Sequence, residues 1–328
     1  MKYFFHIAIL ACTVSILFSC SEPSINVRNT KEFNSNWKFS LGDFPEAFQP
    51  LFDDGSWRTL DLPHDWSIEG SFDPNNPAGT GGGALPGGLG WYRKTFEVPA
   101  IDSTKKIFIH FDGVYRNAEV WINGQYLGKR PYGYSSFRYE LTPWLNFGGK
   151  NILAVKVDNS KQPNSRWYSG SGIYRNVWLI KTRKIYVDLW GTYITTPQVS
   201  KESAQIVIKT TVKNASMAQQ TVAIRTLIFN HEGKKISTLK TETNIPAGST
   251  GEVIQETTIT SPHLWSINHP VLYKALTQVL SGNEVTDDYE TPFGIRYFVF
   301  DREKGFFLNG EPMKILGVCN HHDLGCLG

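Results

Sequence analysis

Cysteine is scarce in this chain of 328 residues, and the four present are Cys12, Cys20, Cys319 and Cys326. The first two lie in the N-terminal segment, which leaves only the last pair for the body of the protein. A disulfide between them stays open, but we expect two buried free thiols. Their spacing around His321 and His322 fits no closed zinc site, so no metal is predicted. No cofactor is predicted either.

Runs of one charge are also missing. The chain has 33 lysines and arginines against 30 aspartates and glutamates, which gives a formal net charge of +3. Because the basic residues form no stripe, nucleic acid is not expected as a partner.

A phosphate-binding loop is missing as well, although one segment has part of its composition. Residues 71–90 are rich in glycine, proline and asparagine. No Lys-Ser or Lys-Thr pair follows them into a helix, which excludes a nucleotide cradle. A loop of this length without structure is typically functional or disordered.

No apolar run is long enough to span a bilayer comfortably. The N-terminal run covers residues 7–18, follows Lys2 and has signal-peptide proportions. Residues 17–20 resemble a bacterial lipobox, so residues 1–20 are predicted to be a lipoprotein signal with Cys20 as the lipid attachment site. A plain secretory signal is the alternative. We expect export to the periplasm or outer membrane, with membrane contact only through the lipid anchor.

What the sequence does contain is β structure and aromatic side chains. It is 41% hydrophobic and 13% aromatic, with 10 tryptophans and 14 tyrosines that serve as core anchors and also as stacking platforms for sugars. An Asn123-Gly124 pair is a strong hairpin signal. A jelly-roll sandwich over residues 26–182 is predicted from alternating segments at residues 107–111, 118–122, 151–158 and 176–180.

A second β unit is predicted over residues 183–294. About seven strands in this length suit an immunoglobulin-like sandwich. The apolar segments are residues 186–190, 205–212, 221–229, 251–255 and 272–280.

Six segments, in a fixed order, carry a family resemblance. They are LDLPHDW (60–66), FDGV leading to VWING (111–124), GYSSF (133–137), RWYSGSGIYRNV (166–177), PHLW with PVLY (262–273) and FGIR (293–296). Together they resemble glycoside hydrolase family 2, which includes bacterial β-galactosidases, β-glucuronidases and β-mannosidases. Within that family, the sequence is most similar to β-galactosidases of Bacteroidetes-type bacteria.

The resemblance implies that residues 295–328 begin a (β/α)₈ barrel that the sequence does not complete. The predicted fold is therefore all-β: a jelly roll, an immunoglobulin-like sandwich and the first strands of a truncated barrel. Family members are retaining glycosidases whose two carboxyl groups lie at the C-terminal ends of barrel strands. Neither position is found here. We expect the N-terminal portion of an exo-acting enzyme that cleaves terminal β-galactosides, inactive as residues 1–328.

Substrate contacts are implied in two places. His321, His322 and Asp323 follow the first expected barrel strand, where His321 matches a family histidine that contacts sugar. Neutral imidazole both donates and accepts hydrogen bonds, but a histidine bonded to backbone or to Asp323 fits the pattern equally. No catalytic residue is assigned within the chain.

The second place is the Gly-Ser-Gly segment of the jelly roll, which the resemblance puts over the barrel mouth. The planar guanidinium of Arg166 can donate paired hydrogen bonds to sugar hydroxyls. Trp167 either stacks on a sugar face or packs in the sandwich. The family often has an acidic residue near Arg166, so this departure puts a transferred role in doubt. The glycine-rich loop, with Asn76, is a candidate rim of the same pocket.

Residues 281–284, Ser-Gly-Asn-Glu, imitate the family's acid motif. Because Gly-Asn between two alternating strands indicates a hairpin tip, Glu284 is expected to be solvated and not catalytic.

A free-standing carbohydrate-binding surface lipoprotein is the alternative function. The aromatic content and the jelly roll favour it, whereas the barrel-like residues 306–328 do not. In either case the expected partner is a β-linked oligosaccharide or glycoside, and a homo-oligomer stays open.

Overall fold

The computed structural model describes residues 27–319, which form β-strands joined by turns. Four short 3-10 helices interrupt them, at Ser67–Glu69, Thr80–Gly82, Ala100–Thr104 and Thr142–Trp144. The first ten strands are β1 Asn29–Glu32, β2 Trp37–Leu41, β3 Arg58–Leu60, β4 Gly88–Glu97, β5 Lys106–Phe111, β6 Ala118–Ile122, β7 Gln125–Arg130, β8 Phe137–Glu140, β9 Lys150–Asn159 and β10 Val177–Thr182.

These ten strands form the first sandwich. One sheet has the order β1-β10-β5-β8 and the other β3-β2-β4-β9-β6-β7, with antiparallel pairing throughout. A single core lies between the sheets and includes Trp37, Tyr92, Ile109, Phe111 and Val155. The segments predicted from alternation at residues 107–111, 118–122 and 151–158 are strands of this sandwich, which confirms them.

The predicted hairpin between β6 and β7 is also confirmed. Asn123 and Gly124 have φ of 49° and 83°, as a two-residue turn requires when it follows the right-handed twist of its strands.

The next seven strands form a second sandwich. They are β11 Ile185–Thr195, β12 Ser203–Asn214, β13 Gln220–Phe229, β14 Lys235–Ile245, β15 Thr250–Thr260, β16 Tyr273–Ser281 and β17 Glu284–Phe293. The sheets have the orders β11-β12-β15 and β14-β13-β16-β17. Three strands facing four in this connectivity are an immunoglobulin-like sandwich.

Strand β11 contains a large bulge. Its register with β12 breaks between Val187, which pairs with Val212, and Thr192, which pairs with Thr210. Residues 188–191 therefore oppose Thr211 alone, and Trp190 within them has a left-handed φ of 51°. A Cβ on Gly191 would lie 2.7 Å from the Thr211 carbonyl oxygen, so the bulge accepts only glycine there.

The two sandwiches are joined by packing and by a buried ion pair. Phe108, Ile180 and Tyr186 form an apolar cluster across the junction. The guanidinium of Arg28 lies 2.6 Å from Asp287, whose side chain is fully buried. The backbone N–H groups of Val27 and Arg28 both donate to Asp288 Oδ1 at 2.8 Å. The chain preceding β1 is thus fastened to the second sandwich.

A small meander follows, made of β18 Phe298–Asp301, β19 Gly305–Leu308 and β20 Glu311–Pro312. The expected strand, Asn-Gly turn and second strand are present here. Both pairings are antiparallel, whereas barrel strands are parallel, so residues 27–319 contain no closed barrel. Cys319 is a free thiol, but it is exposed and not buried as expected, because little structure covers this end of the described residues.

The all-β prediction is confirmed by the two sandwiches. Among residues 27–319, no helix is long and apolar enough to cross a membrane.

Candidate functional site

Two long loops meet at one end of the first sandwich, and Asp65 joins them. The β3–β4 loop covers residues 61–87 and the β9–β10 loop residues 160–176. Asp65 Oδ1 accepts hydrogen bonds from the backbone N–H of Ser67 at 2.9 Å and of Ser171 at 2.8 Å. Asp65 Oδ2 accepts a hydrogen bond from the Tyr168 hydroxyl. Burial, reinforced by this bond, raises the pKa of Tyr168 far above its usual value, so the phenol stays protonated and donating.

The Gly-Ser-Gly segment of the β9–β10 loop has no room for side chains at its glycines. Gly170 and Gly172 have φ of +69° and +130°, which other residues rarely adopt. A Cβ on Gly172 would lie 2.4 Å from the Tyr92 hydroxyl and 2.6 Å from the His64 carbonyl oxygen. Close packing of the backbone therefore fixes the path of this loop.

The buried side-chain amide of Asn159 anchors the same loop to the end of β9. Asn159, at the end of β9, is 2% exposed. Its Nδ2 donates to the Gly170 carbonyl at 2.9 Å and to Ser171 Oγ at 2.8 Å. Its Oδ1 accepts from Asn164 Nδ2 at 2.7 Å. These hydrogen bonds anchor the loop on both sides of Arg166 and Trp167.

Arg166 and Trp167 both lie on the surface. Trp167 is 47% exposed, so the interpretation that it packs in the sandwich core is wrong. Its Nε1 donates to the Tyr134 hydroxyl at 3.2 Å, and the Tyr132 ring lies 5.7 Å from that of Tyr134. We call Tyr132, Tyr134 and Trp167 the aromatic patch; all three side chains are exposed, and Arg166 precedes Trp167 in the chain.

The glycine-rich part of the β3–β4 loop is ordered, which corrects the expectation of a structureless segment. Asn76 Nδ2 donates to the carbonyls of Ser71 at 3.2 Å and Ala84 at 2.9 Å. Ala84 and Leu85 are buried. The amide donor of Asn76 is thus used within its own loop. The gap between the two loops is only about 10 Å³, the room of one water.

His64, in the LDLPHDW segment, belongs to a polar network that is buried at His64 and Tyr92 and exposed at Arg58 and Glu69. Its Nδ1 lies 2.7 Å from the Tyr92 hydroxyl, and its Nε2 lies 2.7 Å from Arg58 Nη2 and 3.2 Å from Glu69 Oε1. Because arginine can only donate, Nε2 accepts and the proton sits on Nδ1. Burial lowers the pKa of His64, although Glu69 acts in the opposite direction. The imidazole is therefore neutral and structural.

Stability should fall in mild acid because of this histidine. Its pKa is depressed in the folded state, so its contribution is complete above the unfolded value of about 6.5 and is lost as the pH falls below it. Burial lowers the pKa of His110 in the same way. The unfolding temperature should decrease between pH 7 and pH 5.5, and less steeply in His64→Gln. A His64 imidazole that titrates by NMR at or above 6.5 would contradict this.

Glu284 behaves as predicted. It is the first residue of β17, beside the Gly282-Asn283 tip, and its side chain is 64% exposed and paired with Arg183. It lies in the second sandwich, and nothing in its surroundings suits a catalytic acid.

Four predicted site residues, Cys20, His321, His322 and Asp323, lie outside the described residues. Within residues 27–319, no group of three or more histidine, cysteine or acidic side chains is placed to hold a metal ion.

The side chains at this end of the sandwich suit ligand binding. The cavities described for residues 27–319 carry at most one carboxyl side chain each. The groove nearest the loops, about 420 Å³, has Glu69 beside Arg58 and Trp66. Exposed rings, an arginine and anchored loops suit the recognition of a polar ligand with apolar faces. Ligand binding by Arg166, Trp167 and Asn76 stays a prediction, and the sequence did not single out Asp65 and Tyr134, although both stand in motifs quoted above.

Two family models match consecutive parts of the chain. The model "Glycosyl hydrolases family 2, sugar binding domain" matches residues 30–183, and the model "Glycosyl hydrolases family 2" matches residues 186–296. The boundary between them falls at the junction between β10 and β11.

Individual proteins show the same similarity. A β-galactosidase of Bacteroides ovatus, BoGH2A, is 52% identical over 95% of this chain and 37% of its own length. A putative β-glucuronidase of Formosa agariphila is 39% identical over 97% of this chain and 30% of its own length. A crystal structure of a glycosyl hydrolase family 2 member from Bacteroides cellulosilyticus superposes with a TM-score of 0.86 at 35% identity, covering 91% of this chain and 40% of that one. The chain thus spans about a third of the length of these curated relatives.

Proposed function

This chain belongs to glycosyl hydrolases family 2, and on that premise we propose that it is the sugar-binding and middle portion of an exo-acting β-glycosidase that removes terminal β-galactosides. The observation that carries the proposal is the succession of two family models over the two sandwiches. The similarity to a β-galactosidase at 52% identity supports galactose as the sugar.

The meander β18–β20 supports a further domain after the second sandwich. Phe298, Phe300, Ile315 and Leu316 are 56%, 69%, 67% and 88% exposed. Apolar side chains in such number on one short segment favour a covering partner. We propose that residues 295–328 begin a (β/α)₈ barrel and that its strands cover them.

Hydrolysis with retention needs a carboxylic acid and a carboxylate about 5 Å apart across the glycosidic bond. Since no cavity described for residues 27–319 is lined by two carboxyl groups, we assign both to the barrel. In this proposal the loops at the end of the first sandwich form part of the substrate rim. Arg166 donates to hydroxyls and the aromatic patch holds the apolar face of a sugar, while Asp65 and Asn159 keep both groups in position.

A β-glucuronide is the second candidate substrate. Arg166 is exposed and has no ion-pair partner among the described residues, so it is free to bind a sugar carboxylate. The similarity to a putative β-glucuronidase agrees with this choice.

The activity should appear only when the reading frame extends beyond residue 328. Residues 1–328 alone should not hydrolyse an aryl β-galactoside above the buffer rate, whereas the product of the longer gene should, at least about tenfold faster than the matching β-glucuronide or β-mannoside.

We also propose export with a lipid on Cys20, so the activity should sediment with membranes and be released by Cys20→Ala.

The same assay separates the alternatives. Turnover by residues 1–328 that is lost on changing one of their own carboxyl groups would overturn the assignment of catalysis to the barrel. A faster reaction with the β-glucuronide would replace the galactoside. Galactoside binding by residues 26–182 without turnover by any longer product would favour the carbohydrate-binding lipoprotein.

A further inference from the structure

A cleft of about 250 Å³ lies between the two sandwiches, away from the loops of the candidate site. The first sandwich lines it with His110 of β5 and Trp178 of β10. The second sandwich lines it with Trp190 of β11 and Tyr289 of β17. Three aromatic rings and an imidazole thus meet in one concavity at the domain junction, a common location for ligand sites.

The β11 bulge places Trp190 at the mouth of this cleft. Trp190 is 64% exposed and has a left-handed backbone, which is costly for a large side chain. Asp188 Oδ1 fastens the bulge by accepting from Arg138 Nη2 of β8 at 2.8 Å. An exposed indole held in a strained conformation by a tightly packed bulge is the kind of outlier that marks a functional position.

The polar groups of the cleft are few and directional. His110 Nε2 lies 3.3 Å from Asp112 Oδ1, and Trp178 Nε1 donates to Asp112 Oδ2 at 3.0 Å. His110 is 91% buried, since its exposed fraction is 9%. Its Nδ1 has no hydrogen-bond partner among the described residues, which is unusual for a buried ring nitrogen.

Both arginines that line the cleft have carboxylate partners. Arg28 is paired with Asp287 at 2.6 Å, and Arg138 is paired with Asp188 at 2.8 Å. Neither cation is left to attract an anionic ligand. A neutral ligand with an apolar face for the indole and a hydroxyl group for the partly exposed Asp112 carboxylate is the best match, and a sugar ring has both.

We propose that this cleft is a second carbohydrate site, which binds one neutral sugar unit of a glycan chain against Trp190. It is independent of the rim formed by Arg166 and the aromatic patch, and it needs no residue of a barrel. Its role is to hold a glycan on the enzyme surface while another part of the chain is processed.

The test is an NMR titration of residues 1–328 with cellotetraose, xylotetraose, mannotetraose and β-galactotetraose, with tetragalacturonate as the charged comparison. The Trp190 indole N–H, assigned by its disappearance in Trp190→Ala, should shift with at least one neutral tetrasaccharide. Trp190→Ala should weaken that binding at least about tenfold. Thr30→Trp, which fills the cleft from an exposed position on β1, should abolish it.

A control variant and a stability measurement complete the experiment. Trp144→Ala removes another exposed indole, 46% exposed against 64% for Trp190, and should leave this binding unchanged. Each variant's unfolding temperature shows that it is folded. No shift of Trp190 with any neutral tetrasaccharide, a response confined to Trp167, or tighter binding of tetragalacturonate would each overturn the proposal while leaving the proposed function untouched.

Discussion

Gly172→Ala should lower the free energy of unfolding by about 3 to 5 kcal/mol, the sum of a left-handed backbone penalty and an overpacking penalty. The new methyl group would meet the Tyr92 hydroxyl at 2.4 Å and the His64 carbonyl oxygen at 2.6 Å. Neither neighbour can move away easily. Tyr92 is fully buried in the core of the first sandwich, and the His64 oxygen belongs to the backbone. Relief would require the β9–β10 loop to move away from Asp65. Urea unfolding of the wild type and the variant measures the difference.

Gly282→Ala is the matched control for this substitution. Gly282 also has a left-handed φ, +60°, but a Cβ there would have no atom within 4 Å. Only the backbone penalty remains, about 1 kcal/mol. Equal destabilisation by the two substitutions would show that the close approach at Gly172 is not a constraint.

Arg28→Ala should cost about 3 to 5 kcal/mol, because it leaves the buried carboxylate of Asp287 without its cation. Arg28 binds Asp287 with two nitrogens, Nε at 3.1 Å and Nη2 at 2.6 Å, and also donates from Nη2 to the Val187 carbonyl at 2.5 Å. Asp287 Oδ2 in turn accepts from the Val187 N–H at 2.8 Å. Hydrogen exchange at Val187 should therefore accelerate together with the loss in urea stability.

Two comparisons identify the cause of that loss. Replacing both partners, as Arg28→Met with Asp287→Leu, should recover most of the stability because no charge stays buried. Lys209→Ala breaks an ion pair with Glu252 in which both side chains are 45% exposed, and should cost less than about 1 kcal/mol. A loss for Arg28→Ala no larger than for Lys209→Ala would refute the buried pair as a fastening of the two sandwiches.

Strands with an apolar face were predictable from the sequence, and strands without one were not. The segments in β9 and β12 alternate because one face of each packs into a core, whereas β5 and β13 are apolar and buried along most of their length. Strand β14 was missed. It is an edge strand in which exposed and half-buried positions alternate, but serine and threonine fill most of the half-buried positions. The hydrophobic alternation that marks a strand is therefore weak in its sequence.

The candidate site was predictable only where a local motif carries it. The resemblance of residues 166–177 to a family motif led to Arg166 and Trp167. Asp65 was missed because its partners Tyr168 and Ser171 stand 103 and 106 residues further along the chain. The order of the glycine-rich loop was missed for a similar reason: it arises from the amide bonds of Asn76 and not from composition.

The fastening of Val27 and Arg28 to Asp288 limits how a lipid-anchored molecule would stand on a membrane. Seven peptide units separate Cys20 from Val27, the first fastened residue, and even fully extended they reach only about 25 Å. The tether to the lipid would start at the junction between the two sandwiches and not at a free end of the molecule. A molecule tethered so closely at its domain junction could adopt only a limited range of orientations relative to the membrane. The membrane surface would therefore influence which face of the molecule meets a glycan.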